Sequence, residues 1–217
     1  VWPAKDWWTN YGDPQLAALM EQAQANNLDI AQAAARLRQA DARARQAGAA
    51  LLPQVGASAN VNTLYGQANG TSVRETDYNA GLDVSYELDF WGKNRDLLDS
   101  AKAQLRASQA DRATVALTVT SGVANTYFQL LSLRERLAVA RANLQSAAEI
   151  LSVVQRRVTA GYSANADLIQ QRAALAAEQA TVPALEQQEL EARNALAILL
   201  GRPPEGFMVT GEGLGML

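Results

Sequence analysis

The sequence predicts a mainly α protein, with long antiparallel coiled-coil helices and one inserted β-hairpin. Three observations carry this. Tyr78 to Phe90 alternates without error between apolar residues (Tyr78, Ala80, Leu82, Val84, Tyr86, Leu88, Phe90) and polar or tiny ones (Asn79, Gly81, Asp83, Ser85, Glu87, Asp89), the period of a strand with one apolar face. Downstream, Leu130, Leu133, Leu137, Ala140, Leu144, Ala147, Leu151, Val154 and Val158 recur at strict three-four spacing, the seam of a coiled coil. Much of the apolar content is alanine, which favours helix and close helix approach over a thick core.

Composition removes several function classes. The 217 residues are 48% hydrophobic, enough to bury a core, but a net charge of -3 lacks the basic surplus that nucleic-acid or anionic-membrane binding calls for. With no Cys and no His, disulfides, thiolate and imidazole chemistry and the usual zinc or copper ligand sets are excluded. Neither a metal nor another cofactor is expected. No stretch approaches 18 consecutive apolar residues, so no transmembrane helix is expected. Val1-Trp2-Pro3 is not a signal-peptide start, which puts any export signal upstream.

The elements follow in order. Asp13-Pro14 predicts a helix start, the Asp13 side chain accepting from free backbone N–H groups while Pro14 needs none, and this short helix runs to about Ala25. Asn26-Asn27 interrupts it, and Asp29 is expected to cap a second helix of about 23 residues to Leu51, ended by Pro53. Pro53 to Tyr65 alternates again, with Leu64 out of pattern, and predicts a strand; Gly66 to Thr76, polar and glycine-bearing, predicts an exposed loop.

At about 3.3 Å per residue each strand reaches about 40 Å, more than a tilted barrel strand needs to cross a membrane. A soluble hairpin with one face on a core would alternate in the same way. Two features weigh toward the membrane. The aromatics Tyr65, Tyr78, Phe90 and Trp91 cluster at predicted strand ends, as interfacial girdles do, and no other strand is available nearby. Asp83, Glu87 and Asp89 share one predicted strand face, which on a barrel is the aqueous lumen. No nucleophile, base or substrate cradle accompanies them, so acid/base catalysis is not expected. Arg36, Arg38, Arg43 and Arg45, interleaved with alanines and Asp41, read as a solvated helix face.

From Gly92, past a tolerated Gly122, the helix signal continues to Ala160, about 67 residues or about 100 Å. Gly161-Tyr162 stops it, and Ser163 or Asn165 is expected to cap a last helix of about 36 residues with apolar positions at Leu168, Leu175, Val182, Leu185, Ala192 and Leu199. The short turn makes the two helices antiparallel neighbours. Pro183 is expected to bend the second, and Gly201-Arg202-Pro203-Pro204 to end it. The helix before the hairpin and the last helix together nearly match the long one, so they can stack end to end beside it. The first segment, with Trp2, Trp7, Trp8 and Tyr11, and the last, Pro203 to Leu217, would then gather at their junction. A two-stranded hairpin has open edges that lipid does not tolerate, so further strands must come from elsewhere.

Trp7 to Leu16, Ala50 to Val55, Tyr86 to Lys93, Gly161 to Leu168 and Arg193 to Pro204 together resemble the outer membrane efflux proteins of the TolC and OprM type, in particular the NodT-type lipoproteins. The resemblance implies a homotrimer with a twelve-stranded barrel in outer membrane lipid above a helical periplasmic tunnel, built from two tandem repeats of which this chain matches the first. In those terms residues 1–28 are an equatorial segment, 52–91 a barrel hairpin, 29–51 and 92–201 tunnel helices, and 202–217 a linker, with a break near Gly211 to Gly215. It implies a passive, non-enzymatic conduit of a tripartite RND-type system that exports drugs or other small molecules, partnered by a periplasmic adaptor (membrane fusion protein) and an inner-membrane transporter. A lipid anchor would sit on a Cys upstream of Val1. The helical turn carrying Arg157, Gly161, Tyr162, Ser163, Asn165 and Asp167 corresponds to the adaptor-docking and gating tip. Arg157, Gly161 and Asp167 fall on matching motif positions, although Gly161 and Asp167 also suit a helix end and a helix start for purely local reasons. The rival reading is a soluble coiled-coil adaptor or scaffold.

Overall fold

The computed structural model describes residues 3–4, 6–68 and 71–209. A 3-10 turn, Trp7–Tyr11, precedes α1 (Pro14–Asn26), α2 (Leu28–Ala49), β1 (Gln54–Ala68), β2 (Thr71–Ser85), α3 (Lys93–Thr159) and α4 (Asn165–Leu199). Two compact units result: Val1–Ala33 with Arg112–Leu217, and Ala34–Asp111.

In the first unit, α1 starts as its sequence dictates. Asp13 Oδ1 accepts from the backbone N–H groups of Gln15 (2.8 Å) and Leu16 (3.2 Å), with Pro14 at the first helical position. The other carboxylate oxygen accepts from the Tyr127 hydroxyl at 2.7 Å, tying α1 to α3. Burial of that phenol, and its bond to Asp13, push the Tyr127 pKa well above its usual value. Around it Leu16, Met20, Val123, Leu130, Leu131, Leu196 and Leu200 are fully buried. Trp8 and Val209 belong to the same core, while Trp7 and Phe207 pack against it and Tyr11 lies against Phe128 with ring centroids 5.2 Å apart. Trp2 and residues 210–217, also expected near this junction, are outside the described residues.

The α1–α2 junction is capped by Asn27 rather than Asp29. Asn27 Oδ1 accepts from the N–H groups of Asp29 (2.9 Å) and Ile30 (3.1 Å), and its Nδ2 donates to the Leu199 carbonyl (2.9 Å) at the end of α4. Asp29 sits inside the first turn, where its charge suits the helix dipole. Gly201 has φ +67 and packs so closely on Asn26 that a Cβ would collide with the Asn26 carbonyl.

From Leu130 toward the tip, the seam positions of α3 are buried or half-buried: Leu130, Leu133 and Ala140 fully, Leu144, Ala147, Leu151, Val154 and Val158 partly. On α4, Leu168, Leu185 and Ala192 are buried and Leu175 and Val182 half-buried. Arg134 pairs with Glu189 (3.4 Å) and Arg141 with Glu186 (2.7 Å). One number rises as its partner falls, which is the antiparallel register. The α4 helix continues through Pro183.

The second unit contains the body of α2, the hairpin and the first turns of α3. The α2 helix ends at Ala49, and single-turn bonds from Leu51 N–H to Gly48 and from Leu52 N–H to Ala49 lead into Pro53. The ladder then runs from Gln54↔Ser85 to Ala68↔Thr71.

This corrects the predicted hairpin at both ends. Residues expected as a loop, Gly66 to Thr76, are strand except for Asn69 and Gly70, which are outside the described residues. An Asn-Gly pair between two strands is itself the strongest short hairpin signal, and it outweighs the polar composition around it. The second strand also stops at Ser85 instead of Phe90. The alternation continues past Ser85, but the facing residue would be Pro53, which has no N–H to give and closes the ladder.

Candidate functional site

Residues directly opposite in an antiparallel pair share a face, so the register sorts the hairpin. One face carries Val55, Ala57, Ala59 and Val61 opposite Val84, Leu82, Ala80 and Tyr78. The other carries Gly56, Ser58, Asn60 and Asn62 opposite Asp83, Gly81, Asn79 and Asp77, with Leu64 beside Glu75. Neither face is covered: Val55, Val61, Tyr78, Leu82 and Val84 are between 63% and 80% exposed. A sheet whose one face is apolar and exposed from Val55 to Val61 and from Tyr78 to Val84 is suited to lipid or to another chain, not to water. At about 3.3 Å per residue the apolar band from Val55 to Val61 extends about 20 Å along the strand. The Asp83 carboxylate lies over Gly56, where an added Cβ would stand 2.6 Å from Asp83 Oδ1 and turn that side chain aside.

The predicted lumen carboxylates do not share one strand. Asp83 is on β2, on the polar face, whereas Glu87 and Asp89 lie in the connection to α3. Glu87 pairs with Lys93 at 3.1 Å. Asp89 Oδ2 accepts from the Arg95 backbone N–H (2.9 Å), and the Arg95 guanidinium donates to the Asp89 carbonyl (2.6 Å). These two pairs clip the end of the strand to the first turn of α3. The bond from the Arg95 N–H, reinforced by the Asn94 N–H and the Arg95 side chain against a smaller opposing effect of burial, holds the Asp89 carboxyl below its ordinary pKa.

The predicted interface aromatics are likewise divided. Tyr65 lies toward the turn end of β1, opposite Arg74, but Tyr78 is in the middle of β2 opposite Val61. Its strand starts at Thr71, seven residues before it. Phe90 and Trp91 follow the strand and meet edge to face, centroids 6.0 Å apart, with Trp91 91% exposed.

The six predicted residues at the helical turn lie between the last turn of α3 and the first turn of α4. The α3 helix closes with Gly161 N–H bonding the Val158 carbonyl (3.0 Å) and Tyr162 N–H the Arg157 carbonyl (2.8 Å), Gly161 itself having φ +79. This paired termination needs a left-handed residue at Gly161. Neither Ser163 nor Asn165 caps α4. The cap position is Ala164, and Asp167 reaches back so that its Oδ2 accepts the Ala164 N–H at 3.2 Å. Asp167 can do this because it stands three residues into the helix, where a carboxylate meets both the free N–H and the helix dipole. Arg157 and Tyr162 are exposed, Tyr162 by 80%. Among the described residues no acidic or sulfur cluster could hold a metal, and no helix is long and apolar enough to cross a membrane.

Sequence reasoning missed Asn27 and Arg95. Asn27 is in the best class of N-cap residues but stood next to an equally plausible Asp29. Arg95 carries no signal of its own until the strand end is known.

An exposed amphipathic hairpin and a pair of long antiparallel helices in one chain define the class. The outer membrane efflux protein family matches residues 19–202, and the chain belongs to that family. It is 45% identical over 210 residues to the pyoverdine export outer membrane protein OpmQ of Pseudomonas putida, covering 93% of this chain and 45% of the relative. It is 31% identical over 195 residues to the probable outer membrane lipoprotein SilC of Salmonella typhimurium, covering 89% and 42%. Among solved structures, the outer-membrane channel OprN superposes with a TM-score of 0.84 at 32% identity, covering 95% of this chain and 47% of that one. The chain therefore spans about half the length of the relatives it matches.

Proposed function

We propose that this chain supplies one β-hairpin and one helical hairpin to a trimeric outer membrane channel of a tripartite RND-type efflux system. The channel is a passive export route for small molecules, and the chain does no enzymology. The observation that carries this reading is the hairpin. One face is apolar and exposed between Val55 and Val61 and between Tyr78 and Val84, the other is mostly polar, and both outer edges have unpaired backbone groups that only further strands can satisfy. A soluble adaptor or scaffold gains nothing from such a face. The names of the relatives extend the proposal: export of pyoverdine by one suggests small-molecule cargo, and the lipoprotein name of another suggests a lipid anchor.

In this reading Asp83 faces the lumen, and the turn Arg157 to Asp167 is the tip that meets the periplasmic adaptor. Glu87 and Asp89 hold the strand to the helix instead of lining the pore. Replacing Arg157 and Asp167 together in the protein that contains this chain should weaken crosslinking to the adaptor or increase leak through the channel. Unchanged crosslinking, efflux and closure would remove the tip assignment.

A further inference from the structure

Arg74 is the one cation between Pro53 and Gly92, and it stands on the apolar face, not the polar one. Its guanidinium lies over the Tyr65 ring, 5.4 Å from the centroid. The next pair inward on the same face is Thr63 and Thr76, whose hydroxyls are 3.3 Å apart, and inward of these the face is apolar to Val55 and Val84. All the acids of the hairpin strands, Glu75, Asp77 and Asp83, are on the opposite face. From the turn end inward, one face thus reads cation with aromatic, hydroxyl pair, hydrocarbon.

That order matches the depth profile of a lipid leaflet. Tyr65 supplies an amphipathic ring at headgroup level, and a guanidinium presents a planar fork suited to phosphate oxygens. We infer that Arg74, seated on Tyr65 and flanked by Thr63 and Thr76, binds the phosphate of an anionic lipid headgroup in the leaflet at the turn end of the hairpin. This rests on the proposed membrane reading of the hairpin and adds a lipid preference to it. The cation–π contact pre-sets the guanidinium, so that less freedom is lost when a headgroup arrives.

Flotation of the full chain with vesicles tests this. One set of vesicles is pure phosphatidylcholine, the other contains a third phosphatidylglycerol. The wild-type chain should bind the anionic vesicles about fivefold better, the effect of one cation near a charged surface. Arg74→Gln should bind both sets equally, at the wild-type level for phosphatidylcholine. Glu75→Gln, on the opposite face, should keep the fivefold preference, whereas a global charge effect would raise it. Millimolar inorganic phosphate should not compete. Equal wild-type binding to both vesicle types, a preference that survives Arg74→Gln, or competition by free phosphate would overturn the headgroup site. Absence of binding to either vesicle type would instead refute the membrane reading beneath it.

Discussion

Gly201→Ala isolates the close approach that joins the ends of α1 and α4. Two effects add at this position. With φ +67, any residue with a Cβ bears the left-handed penalty of about 1–2 kcal/mol. A Cβ would also collide with the Asn26 carbonyl oxygen and lie 2.9 Å from its carbon. Backbone cannot rotate away as a side chain can, so the end of α4 must shift, with the overpacking cost of about 1–3 kcal/mol. The sum is about 2–5 kcal/mol. Gly161→Ala is the built-in reference: its φ is +79, yet nothing lies within 4 Å of the added Cβ, so only the first cost of about 1–2 kcal/mol applies. Urea unfolding followed by far-ultraviolet circular dichroism measures both variants. Gly201→Ala should lose clearly more than Gly161→Ala. Equal losses would refute the close packing of Gly201 on Asn26.

Other outcomes follow from named contacts. Asn27→Ala removes the α2 cap, about 1 kcal/mol, and strands the Leu199 carbonyl, about 1–3 kcal/mol; Asn27→Ser keeps an acceptor for the cap but cannot reach Leu199, and should lose about 1 kcal/mol less than Asn27→Ala in the same urea series. Asp167→Ala should lower stability by about 0.5–1 kcal/mol through the unpaired Ala164 N–H and speed hydrogen exchange at Ala164 without affecting Asn27. Because the folded pKa of Asp89 is depressed, its contribution is present above the ordinary value of 3.8 and is lost as pH falls through the lower folded value. Exchange at the Arg95 amide should therefore accelerate relative to mid-helix amides only below about pH 3.8, and Asp89→Asn should abolish that pH dependence.

The elements were legible where a period settled them. The three-four seam from Leu130 to Val158 predicts the long helix, and α3 does span Lys93–Thr159. The turn at Gly161 was equally readable, because few residues other than glycine tolerate a positive φ. What the sequence hid depends on partners. Alternation reveals which residues could share a face but not where a ladder stops, so Pro53, just before β1, ended β2 while Tyr86 and Leu88 kept the pattern. For the same reason Glu87 and Asp89, in step with Asp83 by period, are tied to Lys93 and Arg95 instead. Caps were ambiguous where several eligible residues stood together. Asn27 rather than Asp29 caps α2 and also meets Leu199, 172 positions away, and α4 starts at Ala164 without a side-chain cap, its N–H held by Asp167.

The central claim is that the hairpin presents one face to lipid and the other to water. The chain has no Cys of its own, so single cysteines introduced at each position from Tyr78 to Val84 report independently. In outer membranes holding the protein that contains this chain, labels at 78, 80, 82 and 84 should be quenched by lipid-soluble nitroxides. Labels at 79, 81 and 83 should instead react with a water-soluble thiol reagent admitted to the lumen. A strict period of two with that phase is the predicted result; uniform accessibility to water, or the opposite phase, would contradict the account.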